Sequence, residues 1–279
     1  MMPVVSLPDG EKVPALGQGT WNMGESSSAA ASEAATLRAG IELGMSLIDT
    51  AEMYADGGSE QVVAQAIAGL RDQVFLVSKI SPQNASATGV AKHCAASLKR
   101  LGTDRIDLYL LHWPGRYPLA ETVSAFERLR AAGQIRHWGV SNFDADGMAR
   151  LSQLQGGTGC ATDQVLYHPQ QRGIEFDLMP WCRAQKMPVM AYSPLGQGGK
   201  LLRSPALKAV AQRHQATPAQ IALAWSLRDG NTISIPKSAD ISRMRENSAA
   251  ARLRLTEQDL SEIDAAHRPP DRKQPLEML

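Results

Sequence analysis

The chain has 279 residues, of which 43% are hydrophobic and 20% charged, and its formal net charge is +1. That composition is typical of an ordinary globular enzyme domain, and the length accommodates one (β/α)8 barrel, which needs about 250 residues. The near-zero charge excludes the basic surface of a nucleic-acid-binding protein, and no apolar run reaches the ~18 residues that cross a membrane. We expect a single domain over residues 1–279 that is cytoplasmic and monomeric and binds neither nucleic acid nor membrane.

The cysteines and histidines give no indication of a metal site. Cys94, Cys160 and Cys182 are scattered and form no CxxC pair, so they predict neither a disulfide framework nor a zinc or redox site. Unreactive thiols in a reducing cytosol are their ordinary interpretation. The histidines that show no metal-ligand spacing and receive no catalytic role are His93, His137, His168, His214 and His267. We therefore expect no metal.

Short apolar runs alternate with helical segments along the chain. The first pair of runs, Val4–Leu7 and Lys12–Ala15, flanks a turn at Asp9-Gly10 and predicts a β-hairpin that covers the N-terminal end of a barrel. The later runs are rich in Val, Ile or Leu, as strands buried on both faces of a parallel sheet should be. For the eighth strand we expect Arg252–Leu255. The seven clear strands are Met45–Ile48, Val74–Val77, Ile106–Leu111, Ile135–Val140, Ala161–Leu166, Pro188–Ala191 and Thr232–Ile235.

Helix starts are marked between these strands. The run Ser26–Ala35 leads into an apolar helical pattern, so we interpret it as a helix start and not as a linker. Thr217–Gln220 and Thr256–Asp259 each place a capping hydroxyl before a helix. The regular alternation predicts a (β/α)8 TIM barrel with an N-terminal β-hairpin and a short C-terminal tail. An open Rossmann sheet is the alternative, and its GxGxxG fingerprint is absent.

Polar residues recur at the C-terminal ends of the predicted strands. In a parallel barrel these ends open on one face, where the active sites of such barrels lie. Each residue alone has an ordinary explanation, such as a helix cap for Asp49 or a core position for His112. Seven strand ends in register are harder to explain without a site. The residues are Asp49, Lys79, His112, Asn142, Gln164, Tyr192 with Ser193, and Lys237 with Ser238.

Tyr54 adds a proton donor to the first of these strand ends. A phenol has a pKa of about 10, and a nearby ammonium such as Lys79 lowers it. Asp49 would hold that ammonium in place, and His112 would orient a carbonyl oxygen beside the hydroxyl. This set suits general-acid catalysis with stabilisation of a developing alkoxide. The hydride must come from an external cofactor, because no side chain donates one.

These residues lie in ordered motifs that resemble those of the aldo-keto reductases. Leu47–Ala51 followed by Tyr54, Val77–Lys79 and Leu111–Trp113 resembles the Asp/Tyr/Lys/His tetrad of that family. The resemblance extends from about Gly17 to about Asn247. Further matching segments, in family order, are Gly139–Phe143, Gln164 with Tyr167–Pro169, Ala191–Gly196 and Ile235–Ser238.

The resemblance implies a reaction and its substrate site. It implies that Tyr54 donates a proton to a small carbonyl substrate, that Asp49 and Lys79 tune it, and that His112 positions the carbonyl. Trp21 and Trp113 flank this site and should form apolar walls, although a core tryptophan is the ordinary alternative. With only Arg268–Leu279 after the last helix, we expect an open pocket that favours small or varied aldehydes. The segment Ala51–Glu60 and the short tail resemble small bacterial members related to methylglyoxal reductases.

The resemblance also implies NADPH as the cofactor. Lys237, Ser238 and Arg243 would hold a 2′-phosphate, since two cations and a hydroxyl suit a dianion; an ordinary solvated helix face around Arg243 is the alternative. Tyr192 should stack on the nicotinamide ring, and Glu246 with Asn247 should hold the adenine. The nicotinamide and riboside contacts are implied for Gly19, Thr20, Asp49, Ser141, Asn142 and Gln164, and the pyrophosphate loop for Ser193, Leu195 and Gln197.

Two other classes of function remain as alternatives. A cofactor-binding regulatory barrel without significant turnover would keep the fold and the nucleotide site. A metal- or phosphate-dependent lyase or isomerase would need clustered carboxylates or histidines at the strand ends, where only Asp49 and His112 are present. The complete set of Asp49, Tyr54, Lys79 and His112 favours a reductase.

Overall fold

The computed structural model describes residues 2–279, and its central element is an eight-stranded parallel barrel. Parallel bridges from Leu16 to Ser234 and from Gly19 to Lys237 join the first barrel strand to the last, and so complete the ring. The prediction of a (β/α)8 barrel is confirmed. The barrel strands are β3 (Gln18–Gly19), β4 (Leu47–Asp49), β5 (Phe75–Ile80), β6 (Ile106–Leu111), β7 (Ile135–Ser141), β8 (Cys160–Leu166), β9 (Val189–Tyr192) and β10 (Thr232–Ile235).

The predicted N-terminal hairpin is confirmed. Strands β1 (Val4–Ser6) and β2 (Lys12–Pro14) pair antiparallel, with Val5 opposite Val13. Both valines are buried against side chains from inside the barrel, such as Leu108 and Ile233. Because this apolar contact fills one end of the barrel, the side chains at the opposite end form its open face.

The eighth barrel strand is not where the sequence placed it. Residues 252–255 form part of an irregular connection without strand pairing, and the missing strand is β3. This strand has two residues and no apolar side chain, so it carries no hydrophobic signal. The polar side chain of Gln18 can be buried because its Nε2 donates hydrogen bonds to the carbonyls of Leu37 (3.1 Å) and Met45 (2.8 Å). At Gly19 a Cβ would lie 2.8 Å from the Ile235 carbonyl oxygen, so close approach to β10 requires glycine.

Helices surround the barrel, and both predicted helix starts are confirmed, each with a capping box. The Thr217 hydroxyl accepts from the Gln220 N–H, and the Thr256 hydroxyl accepts from the Asp259 N–H. The helix predicted from Ser26–Ala35 begins at Ala30. No helix in residues 2–279 is long and apolar enough to span a membrane. The helices are α1 (Ala30–Glu42), α2 (Gly58–Ile67), α3 (Gly89–Leu101), α4 (Leu119–Ala131), α5 (Ala145–Ser152), α6 (Leu178–Ala184), α7 (Pro205–Arg213), α8 (Pro218–Ser226), α9 (Ile241–Ala250) and α10 (Glu257–Ala266).

Candidate active site

The polar strand ends converge on one cavity at the open face of the barrel. The cavity has a volume of about 300 Å³. Lys79 does not line it but lies directly beneath, completely buried on β5. The sequence-predicted residues that line the cavity are Gly19, Thr20, Trp21, Asp49, Tyr54, His112, Trp113, Ser141, Asn142, Gln164, Tyr192, Ser193 and Lys237.

A buried ion pair lies beneath the Tyr54 hydroxyl. Lys79 Nζ donates to Asp49 Oδ2 at 2.7 Å and to the Thr50 carbonyl at 2.9 Å. Its third contact is the Tyr54 hydroxyl at 3.3 Å. An ammonium has three protons to donate, so these three partners satisfy it. Asp49 and Lys79 come from the ends of the adjacent strands β4 and β5, so the parallel pairing of those strands brings the two charges together.

Burial and charge act in opposite directions on this set. Burial lowers the pKa of Lys79, but Asp49 and Tyr54 together outweigh it and raise the pKa overall, so Lys79 stays an ammonium. Burial raises the pKa of Tyr54, and Lys79 lowers it by less. The expectation that Lys79 lowers the pKa of Tyr54 is correct for that one effect, but the net pKa of Tyr54 is raised because burial outweighs it. At neutral pH Tyr54 carries its proton, which is the form that a proton donor requires.

His112 is a neutral histidine beside Tyr54. The two rings meet edge to face, with centroids 5.7 Å apart. Burial, followed by the Lys79 charge, lowers the pKa of His112 to about 2. Its Nδ1 is buried and has no hydrogen-bond partner within residues 2–279. The other ring nitrogen, Nε2, is thus the one through which His112 can bind a carbonyl oxygen.

The residues implied for the nicotinamide form one hydrogen-bonded network. The Ser141 hydroxyl donates to the Gln164 carbonyl at 2.7 Å, and Gln164 Nε2 donates to Asp49 Oδ1 at 2.7 Å. The Tyr192 hydroxyl donates to Asn142 Oδ1 at 3.0 Å. Asn142 has a positive φ of 61° and Ser193 one of 47°. Such strained backbone in a non-glycine residue tends to cluster at functional sites.

Gly19 and Thr20 place the backbone of the first barrel strand beside Asp49. The Thr20 hydroxyl donates to the Asp49 carbonyl at 2.9 Å and accepts from the Ser59 hydroxyl at 2.7 Å. Thr20 is completely buried, and both of its hydroxyl contacts are internal. Its side chain therefore fixes β3 against β4 where these strands border the cavity.

A second cavity of about 620 Å³ continues from the first. The two share Trp21, Ser193 and Lys237, so together they form one elongated cleft. Lys237 and Arg243 form no ion pair in the part of the chain that the structure describes, which leaves both cations available to an anion. The sequence-predicted cofactor residues that line this second cavity are Ser193, Leu195, Gln197, Lys237, Ser238, Arg243, Glu246 and Asn247.

The substrate end of the cleft is lined by the predicted Trp21 and Trp113 and by three residues that the sequence did not predict. Trp21 is 45% exposed, and the Trp113 ring lies 4.9 Å from the His112 ring between centroids. Met53, Met278 and Leu279 also line the cavity. We expected the short tail to leave the pocket open, and the structure shows that this tail nevertheless reaches the pocket and lines it. No sequence pattern marks the path of an irregular segment, although Met53 could have been suspected from its position beside Tyr54.

The tail is attached to the barrel before it reaches the pocket. Lys273 Nζ lies 2.7 Å from Asp146 Oδ2, and Leu276 packs against the main core. The backbone of Leu279 also lies close to Tyr192; burial raises the pKa of that tyrosine to about 12, and a hydrogen bond from Leu279 opposes the rise. The tail is thus part of the pocket wall.

Comparison with known proteins supports the arrangement. Residues 15–268 match the model of the Aldo/keto reductase family. The chain is 52% identical to methylglyoxal reductase YeaE of Escherichia coli K12, over 96% of this chain and 95% of that protein. Its structure matches an aldo/keto reductase of Klebsiella pneumoniae, solved in complex with NADP and acetate, with a TM-score of 0.98, 47% identity and full coverage of both chains. The sequence also matches that of glyoxal reductase of Bacillus subtilis, with 31% identity over 95% of this chain and 92% of that protein. The chain therefore belongs to the Aldo/keto reductase family.

Proposed function

We propose that this aldo-keto reductase reduces small aldehydes, methylglyoxal among them, with NADPH as the hydride source and Tyr54 as the proton donor. As a member of this family, the chain catalyses NADPH-dependent carbonyl reduction. The assignment of Tyr54 depends mainly on one observation. Its hydroxyl lines the cavity while lying 3.3 Å from the buried ammonium of Lys79. In the described chain no other tyrosine combines these two positions.

The chemistry follows from these positions. When bound in the cleft, NADPH would supply the hydride that reduces the carbonyl carbon. The Tyr54 hydroxyl gives its proton to the carbonyl oxygen, where negative charge develops. The phenolate that remains is stabilised by the Lys79 ammonium until solvent returns a proton to it. Neutral His112 orients the carbonyl oxygen toward Tyr54, and Asp49 keeps Lys79 charged and in place.

The elongated cleft supports NADPH as the cofactor. Ser141, Asn142 and Gln164 would bind the carboxamide of the nicotinamide, and Tyr192 would stack on its ring. The second cavity is lined by the cations Lys237, where it meets the first cavity, and Arg243, and neither forms an ion pair within residues 2–279, so both could bind a 2′-phosphate. The remaining contacts would come from Gly19, Thr20 and Asp49 at the riboside, from Ser193, Leu195 and Gln197 at the pyrophosphate, and from Ser238, Glu246 and Asn247 at the adenosine end.

The pocket supports a small carbonyl substrate. Its volume of about 300 Å³ has to admit both the nicotinamide and the substrate. Trp21 and Trp113 line it with apolar surface, while Tyr54 and His112 supply the polar groups that fix a carbonyl. The E. coli relative at 52% identity is a methylglyoxal reductase, which makes methylglyoxal the first substrate to test.

Further parts of the proposal concern the chain as a whole. Residues 1–279 act as one barrel domain, and the protein works as a cytoplasmic monomer without nucleic acid. The net charge of +1 supports the last point, because phosphate backbones attract strongly basic surfaces. A regulatory barrel that binds the cofactor without turnover is less well supported. It would have no need of the buried Asp49–Lys79 pair under Tyr54.

The decisive variant is Tyr54→Phe, assayed by NADPH absorbance decay against methylglyoxal, aromatic aldehydes, simple ketones and sugars. We expect kcat to fall by about 10² to 10⁴ because the proton donor is lost. The dissociation constant of NADPH should change less than about twofold, since the proposed cofactor contacts come from other residues. Tyr167→Phe is the matched control. Its hydroxyl is buried between Glu175 (2.6 Å) and Arg228 (2.9 Å), away from the cleft. Full activity of Tyr54→Phe would refute the mechanism.

A further inference from the structure

A buried carboxylate two residues before Tyr54 joins three separate hydrogen-bond donors. Glu52 Oε1 accepts from the Ser81 backbone N–H and from Asn84 Nδ2, both at 2.8 Å. Its Oε2 lies 2.8 Å from His93 Nδ1. The Glu52 side chain is 7% exposed and does not line the catalytic cavity. Substrate or cofactor binding therefore does not account for this set of contacts.

The donors come from the stretch of chain that follows Lys79. Ser81 lies two residues after Lys79, Asn84 ends the single turn that follows, and His93 is on α3. The backbone of Glu52 binds the same stretch, because its N–H donates to the Lys79 carbonyl at 3.2 Å. Both the main chain and the side chain of Glu52 thus tie the segment that carries Tyr54 to the strand end that carries Lys79.

The Tyr54 segment needs such a tie. Tyr54 lies in a short turn between β4 and α2, where its own N–H donates to the Ala51 carbonyl at 3.1 Å. The next two residues, Ala55 and Asp56, have positive φ values of 48° and 54°. Non-glycine residues rarely adopt that region, and they persist there only where the surroundings hold them. The contacts of Glu52 hold this turn on the β5 side, together with the contact between Lys79 Nζ and the Tyr54 hydroxyl.

We propose that Glu52 is a positioning residue for carbonyl reduction. Its carboxylate fixes the Tyr54 turn on the end of β5, and so sets the 3.3 Å distance from the Tyr54 hydroxyl to Lys79 Nζ. The inference rests on the proposed role of Tyr54 as proton donor. Catalytic groups must be held to within about 0.5 Å of the productive geometry. A displacement of about 1 Å at the reacting groups lowers the rate by about 10².

The test is Glu52→Ala in the full-length enzyme. We expect kcat to fall by about 10- to 100-fold, because Tyr54 is no longer held over the substrate. The dissociation constant of NADPH should stay within about twofold, since the Glu52 side chain contacts none of the proposed cofactor residues. The alkaline limb of the kcat profile should also shift. Burial raises the pKa of Tyr54 and Lys79 lowers it, and both effects weaken as the turn moves away from β5.

Two matched variants separate positioning from simple stability. Glu52→Gln keeps an oxygen for Ser81 and Asn84 and offers an amide proton to an unprotonated His93 Nδ1, so kcat should stay within about threefold of wild type. Glu175→Ala is the control, because Glu175 is a partly buried carboxylate bound by Tyr167, Arg172 and Arg228 outside both cavities. It should lower the unfolding midpoint and leave kcat unchanged.

The outcomes are distinct. A folded Glu52→Ala enzyme with wild-type kcat, or a loss of kcat equal to that of Glu175→Ala, would overturn the positioning role. If Glu52→Ala does not fold, Asn84→Ala decides. This change removes one donor from a half-exposed site, and it should lower kcat by about threefold or more without changing NADPH affinity. An unchanged kcat in Asn84→Ala would likewise overturn the positioning role of Glu52. An active Tyr54→Phe would refute the proposed function itself, whereas an inactive Tyr54→Phe beside a fully active Glu52→Ala would refute only the role of Glu52.

Discussion

Replacement of Asp163 by asparagine should stabilise the enzyme at neutral pH. Asp163 lies on β8 and is completely buried. Its Oδ1 accepts one long hydrogen bond, 3.5 Å from the Phe143 N–H, and its Oδ2 has no partner within residues 2–279. It forms no ion pair in that part of the chain. Burial, with a smaller effect of the Asp144 charge, raises the pKa of this carboxyl well above its usual range. Asp163 is therefore a neutral acid in the folded protein.

The magnitude follows from the protons bound in each state. The unfolded chain releases the Asp163 proton above a pKa of about 3.9, and each further pH unit then favours unfolding by about 1.36 kcal/mol. Because the pKa of Asp163 is higher in the folded state, its contribution to the free energy of unfolding is complete at low pH. This contribution is lost as the pH rises toward the pKa of the folded state. At pH 7 the loss reaches at most about 4 kcal/mol. An asparagine side chain ionises in neither state, so Asp163→Asn should be about 1–4 kcal/mol more stable than wild type there.

Urea unfolding of both proteins across a series of pH values is the assay. The difference in unfolding free energy between Asp163→Asn and wild type should shrink as the pH falls. It should vanish below about pH 4, where the Asp163 carboxyl is protonated in both the folded and the unfolded state. Asp107→Asn is the control of opposite sign, since Asp107 is a buried carboxylate bound by Arg71 (2.8 Å) and Arg136 (3.0 Å). It should lose about 3 kcal/mol at pH 7. A pH-independent difference between wild type and Asp163→Asn would show that Asp163 is ionised in the folded state.

Three other predictions concern the cofactor, the pH profile and a helix cap. Arg243→Leu should weaken NADPH about tenfold and NADH less than about twofold in fluorescence titrations; equal losses would place the 2′-phosphate elsewhere. With NADPH, kcat should be level from about pH 6 to pH 9, because Tyr54 stays protonated and His112 stays neutral. A limb near pH 6.5 would contradict this assignment. Thr256→Ala should lower the unfolding free energy by about 1 kcal/mol through loss of the α10 cap, with kcat unchanged. A fall in kcat without a fall in unfolding free energy would contradict this prediction.

Hydrophobic patterning identified most of the barrel but not its first strand. Each of the seven predicted apolar runs overlaps one of the strands β4 to β10, because strands buried on both faces are necessarily rich in Val, Ile and Leu. Strand β3 is held by tertiary contacts. Gln18 donates to two carbonyls in other segments, and Gly19 allows backbone contact with β10. Such a strand exists only in the context of its neighbours, so local sequence does not reveal it.

The candidate site was predictable to the extent that regular strands position it. Asp49, Lys79 and Gln164 end or nearly end buried strands, and parallel pairing alone brings them to one face. The balance between burial and charge at Tyr54 was not predictable, since it depends on how deeply the turn is buried. Met278 was equally hidden, because it reaches the pocket along an irregular path that no periodicity describes. The roles assigned to all these residues remain predictions until the variants are measured.

The pocket wall formed by the tail has a consequence for how this enzyme can acquire new substrates. Met278 is 48% exposed and Leu279 is 64% exposed, and both lie outside every helix and strand. Substitutions at such positions usually change stability by less than about 0.5 kcal/mol. The acid, its ammonium and the proposed cofactor residues, in contrast, are fixed on the barrel strands, their adjoining turns and helix α9. Selection or a combinatorial library could therefore vary substrate preference at these two positions while the folding of the barrel and its chemistry stay constant.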